Sequence, residues 1–365
     1  MSSNSLTRAS STETGTAAEA GVAVPTRTPA RLQFTTVAAA RSIVPLLVVV
    51  VVLSWVTGSQ NPAFLTSVNA QNVLAQVAVL GILAVGQTFL VVGGQIDLSV
   101  GSLVSLVGVV AARCFADGWS TPAVVVLALA IGAATGLVWG TAVALLDVPP
   151  FILTLGGLSV LGSLALVLSD NTPVPVRDGL SSWGFGTWGP LRTPVAMLLL
   201  VVVLGALLLH FTRFGRTTFA LGSSRSTTFL AGVPVKRHLV LLYVGNSTLA
   251  AFAGLLMMAR IASGDPRAGL GLELSVIAVV VLGGATLAGG RGTVVGTFAG
   301  VLVLGVVSAS LTFLQVPGAF QSLVSGGILV LAVVATALAE RRAGGSGTAG
   351  WAGALRRSLP RLKRT

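Results

Sequence analysis

Charge is what this chain has least of. Only 9% of its 365 residues are Asp, Glu, Lys or Arg, against about a quarter in soluble domains, and so low a share excludes a water-facing globule. Cysteine occurs once, at Cys114, which excludes an internal disulfide and any cysteine-based metal site. The two histidines, His210 and His238, flank apolar runs, and no His/Asp/Glu group has the spacing of a metal site. With ten acidic residues in all, no paired carboxylates and no Ser-His-Asp arrangement are visible, so no catalytic residue, metal or cofactor is assigned to the chain. Gly-Gly-Arg-Gly-Thr at 289–293 lacks the Gly-x4-Gly-Lys-[Ser/Thr] spacing of a phosphate loop, which leaves no lysine to reach a phosphate.

What is present is apolar. Hydrophobic residues make up 54% of the chain and the mean hydropathy is +0.94. Several runs reach the roughly 20 residues needed to cross a bilayer, which predicts an all-α polytopic membrane helix bundle. Ten candidate spans fall at about 42–57, 70–92, 100–116, 122–146, 150–168, 194–211, 239–259, 273–288, 294–314 and 321–339. The third and eighth are short and end in glycine, so broken or half-helices are expected there. Residues 1–40, rich in Ser, Thr, Ala and Pro, read as a disordered cytosolic tail and not as a signal peptide. Residues 41–340 form the membrane domain, and 341–365 a basic cytosolic tail.

Orientation follows from where the basic residues lie. With both termini in the cytosol, 17 of the 22 are inside, and only Arg113, Arg177, Arg192, Arg260 and Arg267 lie outside. The net charge of +12 is then a topology signal, and nucleic acid is not an expected partner. Residues 169–193, with Trp183 and Trp188, should be external. Residues 212–238 should be cytosolic and read as a helical hairpin, Thr217 to Leu221 and Ser226 to Ala231, with Gly222 and Gly232 as C-caps.

Glycines four residues apart, Gly132/Gly136/Gly140 and Gly292/Gly296/Gly300, share helix faces and would let backbones approach closely. Between Gly93 and Ser102 the apolar pattern breaks into Gly-Gly-Gln-Ile-Asp-Leu-Ser-Val-Gly-Ser. Polar groups at membrane depth persist where protein or a water-filled cavity surrounds them, and an ionisable one there points to function. Asp97 either caps the helix that starts near Ser99 or meets solute. Val92-Gly93-Gly94 is faintly echoed by Leu282-Gly283-Gly284, as in transporters built from two related halves. Neutral polar groups among the spans, chiefly Gln87, Gln95, Ser99, Thr154, Thr286 and Gln321, would suit a neutral polyhydroxylated solute. A secondary transporter or facilitator stays open as an alternative. Its usual mark is a titratable relay, and among the spans only Asp97 and Glu273 are candidates.

Gly94-Gln95-Ile96-Asp97-Leu98-Ser99-Val100-Gly101-Ser102 resembles the signature of the permease subunits of ribose-type sugar ABC importers. Further segments agree in order: Pro149 to Gly156; Phe214-Gly215-Arg216 with Ala220-Leu221-Gly222; Glu273 to Ala278 running into Gly283 to Gly290; and Gln321. The resemblance covers roughly 45–340. It implies a pair of permeases, as two copies or with a sister chain, working by alternating access. It also implies two cytosolic ATPase subunits that use ATP and Mg2+, and an extracytoplasmic sugar-binding protein. Loop 212–238 would dock on the ATPase through Phe214, Gly215, Arg216, Ala220, Gly222, Arg225 and Gly232. Where the family usually has Asn-x-x-Ala-Ala, this loop reads Ser224-Arg225-Ser226-Thr227-Thr228.

Overall fold

A computed structural model describes residues 33–176 and 179–317, with isolated positions between 320 and 334. Most of the N-terminal tail, Gln321 with the tenth span, and the basic tail lie outside the described residues. Among the described residues the fold is all-helical apart from four two-residue strands. Lipid offers a backbone no partners, so each apolar run satisfies itself as a helix. In order these are α1 (Gln33–Gln60), α2 (Ser67–Gln76), α3 (Ala78–Val92), α4 (Val100–Ala116), α5 (Thr121–Leu145) and α6 (Pro150–Leu168). They are followed by α7 (Ser181–Phe185), α8 (Thr193–Phe211), α9 (Arg213–Ser223), α10 (Arg225–Leu230), α11 (Val235–Ile261), α12 (Leu272–Leu282) and α13 (Val294–Phe313). Helix α1 starts inside the stretch assigned above to the tail.

Among the described residues five helices, α5, α6, α8, α11 and α13, are long and apolar enough to cross a membrane. The pair α2–α3 makes a sixth, bent by 50° at Val77. Helices α4 and α12, of 17 and 11 residues, are apolar but shorter, as the sequence predicts for the third and eighth segments. Pro122, Pro150 and Pro194 occupy the first two positions of α5, α6 and α8, where a missing N–H costs nothing.

Helix α11 is the hub, packed against α5, α4, α3 and α7. The glycine stripe of α5 explains its closest contact. A Cβ added at Gly136 would lie 2.6 Å from Val244 Cα, and one at Gly140 2.8 Å from Val240 Cα. Those neighbours are backbone and cannot rotate away. Gly136→Leu is therefore expected to destabilise the bundle by about 1–3 kcal/mol or more, whereas Gly156→Leu, with open space around it, should be nearly neutral. Thermal unfolding of the two variants in detergent checks the contrast. In the second stripe, Gly296 and Gly300 lie on α13 against Gly283 and Val279, but Gly292 precedes the helix.

Two ends are distinct. At one, the short strands β1 (Val174–Pro175) and β4 (Ser263–Gly264) pair antiparallel, and β2 (Thr187–Trp188) pairs with β3 (Leu191–Arg192). Arg113 binds Asp170 there, and Arg267 donates to Asn171 Oδ1 at 2.6 Å. Trp183 packs on Phe252, while Trp188 is exposed. At the other end lie the α9–α10 hairpin and the breaks after α3 and α12.

Candidate functional site

The two breaks are built alike. Helix α3 ends in a Schellman motif, with Gly94 N–H donating to Val91 O (2.9 Å) and Gln95 N–H to Leu90 O (2.8 Å). Helix α12 repeats it, with Gly284 N–H to Val281 O (2.9 Å) and Ala285 N–H to Val280 O (3.2 Å). Gly94 and Gly284 have φ of 72° and 90°, a conformation that glycine adopts without steric cost. The faint sequence echo is matched in local geometry, although α4, α6, α10 and α13 end in the same motif. The two ends also touch, since Gly290 N–H donates to Val92 O at 2.8 Å.

After its turn the first break enters a buried polar tie. Asp97 is fully buried. Its Oδ1 accepts from Ser99 N–H (2.8 Å) and Ser99 Oγ–H (2.6 Å), and its Oδ2 accepts from Asn246 Nδ2 (3.0 Å). Trp139 Nε1 donates to Ser99 Oγ at 3.1 Å. The Tyr243 hydroxyl lies 3.4 Å from Gln95 Oε1 and 3.3 Å from Ile96 O. The carboxylate thereby joins the start of α4 to α11, and the Ser99 hydroxyl links that start to α5. Asp97 Oδ1 takes the N–H of Ser99, the residue that precedes α4, and so turns the chain into the helix, whose N-cap carries no side-chain cap bond. Trp139→Phe, which removes the indole donor together with part of the ring, should cost about 1 kcal/mol or more of stability in a denaturant titration.

The other polar residues separate. Thr154 is buried and donates to Pro150 O, one turn back on its own helix, at 2.8 Å. Thr286 donates to Gly289 O at 2.9 Å and shapes the second break. Gln87 is fully buried on α3 and both its amide atoms lack partners among the described residues. A buried unpaired amide costs about 1–3 kcal/mol, so of this group Gln87 is the residue with unused hydrogen-bonding capacity. Gln321 lies outside the described residues. Trp139 and Tyr243 were not singled out from sequence. The available signal was that Tyr243 is the chain's sole tyrosine, set in an apolar run, and a buried phenol needs a partner.

The hairpin is locally specified. Thr212 Oγ1 accepts from Gly215 N–H at 3.3 Å and caps α9, and Ser224 Oγ accepts from Thr227 N–H at 3.3 Å and caps α10. Gly232 (φ 78°) ends α10 as expected of a C-cap glycine. Gly222 corrects the sequence expectation. It lies inside α9, which runs on to Ser223, and is needed for proximity instead of for its φ. A Cβ there would fall on Val92 O and lie 2.5 Å from Gly290 N. One at Gly289 would lie 2.8 Å from Gly222 O and 2.9 Å from Gly94 Cα. The hairpin therefore seats directly on both breaks. Gly215 sits equally close to the Leu209 backbone. Phe214 stacks on His238 at 4.5 Å, Thr218 Oγ1 meets His238 Nε2 at 2.9 Å, and Arg225 reaches Asp147 across 3.2 Å. Arg216 and Ala220 are exposed.

Membrane-length helices, paired breaks and a polar hairpin seated on them define a polytopic membrane helix bundle. Residues 69–333 match the family described as branched-chain amino acid transport system / permease component. The ribose import permease protein of Escherichia coli K12 is 39% identical over 300 residues, spanning 80% of this chain and 92% of its own length. That of Bacillus subtilis 168 is 36% identical over 277 residues, 75% of this chain and 86% of its own. The L-arabinose ABC transporter permease protein of Azospirillum brasilense is 35% identical over 274 residues, 75% and 81%. No solved structure matches. The chain belongs to this family of ABC-importer permease components.

Proposed function

We propose that this chain is the membrane subunit of an ATP-driven importer that moves a monosaccharide, a pentose, hexose or similar polyol, into the cytosol by alternating access. The observation that carries the reading is 39% identity across 92% of a ribose import permease. Ten spans with both termini cytosolic accommodate the fold: α1, the α2–α3 pair, α4, α5, α6, α8, α11, α12 and α13 cross once each, and 321–339 is the tenth. That parity puts the hairpin, which carries Arg213, Arg216, Arg225, Lys236 and Arg237, in the cytosol.

There the hairpin docks on a separate ATPase subunit, which binds ATP and Mg2+; this chain holds no cofactor and catalyses nothing. An extracytoplasmic binding protein delivers sugar to the opposite end, and a second permease completes the path. Closure of the ATPase pair pushes α9, and Gly222 passes the push to both breaks. Gln87 offers its free amide to the passing sugar. Asp97 and Ser99 hold α4 in register.

Proteoliposomes of the chain with its ATPase and binding protein should take up labelled ribose or arabinose only with ATP inside the lumen that carries the hairpin. Uptake by this chain alone on an ion gradient would overturn the reading, and uptake of labelled leucine in place of sugar would overturn the substrate class.

A further inference from the structure

Between α3, α8 and α11 runs a groove of about 670 Å³ that the transport reading leaves unused. Phe89, Leu204, Leu208, Leu241 and Leu249 form its walls, and Phe214 closes the hairpin end. It opens sideways, because Leu204, Leu208 and Leu241 are 42–55% exposed. Among the described residues Asn246 and Thr248 are its only polar side chains, and the Asn246 amide is already donated to Asp97. That lining suits a hydrocarbon and is wrong for a sugar.

The hairpin end is different. Leu241, Gly245 and Leu249 recur at four-residue spacing along the groove, and the next position in that series is Arg237. On the facing element Arg213 immediately precedes Phe214. Both arginines are exposed, and neither side chain makes an ion pair or hydrogen bond among the described residues. Arg113 and Arg225, by contrast, are paired. Phe214 at the groove's end meets His238, so Arg213 and Arg237 flank a contact at that end. An apolar slot with two basic residues beside its end is complementary to an acyl chain ending in a phosphate, and basic pockets between spans at the cytosolic face bind such headgroups.

We propose that this groove is a binding site for an anionic phospholipid, its acyl chain against α8 and α11 and its phosphate between Arg213 and Arg237. The same basic pair disfavours a second copy of this chain here, whose own hairpin would bring charge of like sign. Gly245 supplies a plug. It faces the groove, and an added Cβ would meet nothing within 4 Å, so Gly245→Phe fills the slot without disturbing helix packing.

The full chain, assembled in nanodiscs of equal parts phosphatidylcholine and phosphatidylglycerol, would be extracted and its retained lipid counted by native mass spectrometry. Phosphatidylglycerol should be retained in preference. Arg213→Gln and Arg237→Gln should each cut the preference about fivefold, and together about thirtyfold, the worth of two basic groups at an anionic surface. Gly245→Phe should abolish retention of both lipids. Equal retention of the two lipids, or a preference untouched by the double arginine variant, would overturn the headgroup assignment. Retention unchanged in Gly245→Phe, or a loss of dimer in that variant with lipid unaltered, would overturn the groove and assign it to a second copy. Should Gly245→Phe not fold, the exposed arginine pair alone decides the matter.

Discussion

Gly222→Ala in the assembled importer is expected to leave ATP hydrolysis running while sugar uptake falls about tenfold or more. The reason lies in what surrounds the missing side chain. The methyl group would occupy the place of Val92 O and sit 2.5 Å from Gly290 N, and these two atoms bond to each other. Neither belongs to a side chain that can rotate aside. Either α9 withdraws from the breaks or the Gly290–Val92 bond opens, and in both cases the push from the ATPase is lost before it reaches α3 and α12. Gly232→Ala makes the control. Nothing lies within 4 Å of an added Cβ there, so only the left-handed conformation resists, at about 1–2 kcal/mol, and Gly232→Asn should recover most of that. Uptake and hydrolysis measured on the same proteoliposomes separate coupling from folding. Equal, mild losses in Gly222→Ala and Gly232→Ala would remove the special role of Gly222.

The second large effect belongs to Asp97→Ala. Three donors, Ser99 N–H, Ser99 Oγ–H and Asn246 Nδ2, lose their acceptor at a fully buried position. Each buried group left unpaired costs about 1–3 kcal/mol, so a loss of several kcal/mol and poor assembly in the membrane are expected. Asp97→Asn keeps the shape and one accepting oxygen and should lose distinctly less. Asn246→Ala, which leaves the carboxylate with both Ser99 donors, should be milder still. Unfolding titrations of the three variants in detergent give the order. A fully stable Asp97→Ala would show that the tie contributes nothing.

Much of this architecture was readable from hydropathy, because a helix in lipid follows its apolar run. The bounds of 100–116 and 150–168 coincide with α4 and α6, and the glycine stripe on α5 meets α11 as its spacing required. The bend at Val77 was not readable. Nothing in Gln76-Val77-Ala78 breaks a helix locally, so it arises from packing. Gly222 illustrates the same limit. A glycine near the end of a short helix reads as a cap, and only the approach of Val92 and Gly290, distant in sequence, reveals what its bareness serves. The bond from Asp97 to Ser99 was legible from their spacing, but its other partner Asn246, and the Trp139 that bonds Ser99, belong to other spans. Spacing alone does not unite them.

The bond from Gly290 N–H to Val92 O carries one more consequence. Helices α3 and α12 end in the same motif and are riveted together at that end, so neither can slide along the other by a turn while the rivet holds. Any parting of the two must be a tilt about this point, like shears opening on their pin. Movement would then be least beside the hairpin that drives it and grow toward the opposite mouth, where Ala78 and Leu272 begin their helices. On the proposed orientation, a small displacement at the hairpin becomes a large one at the mouth where solute would enter.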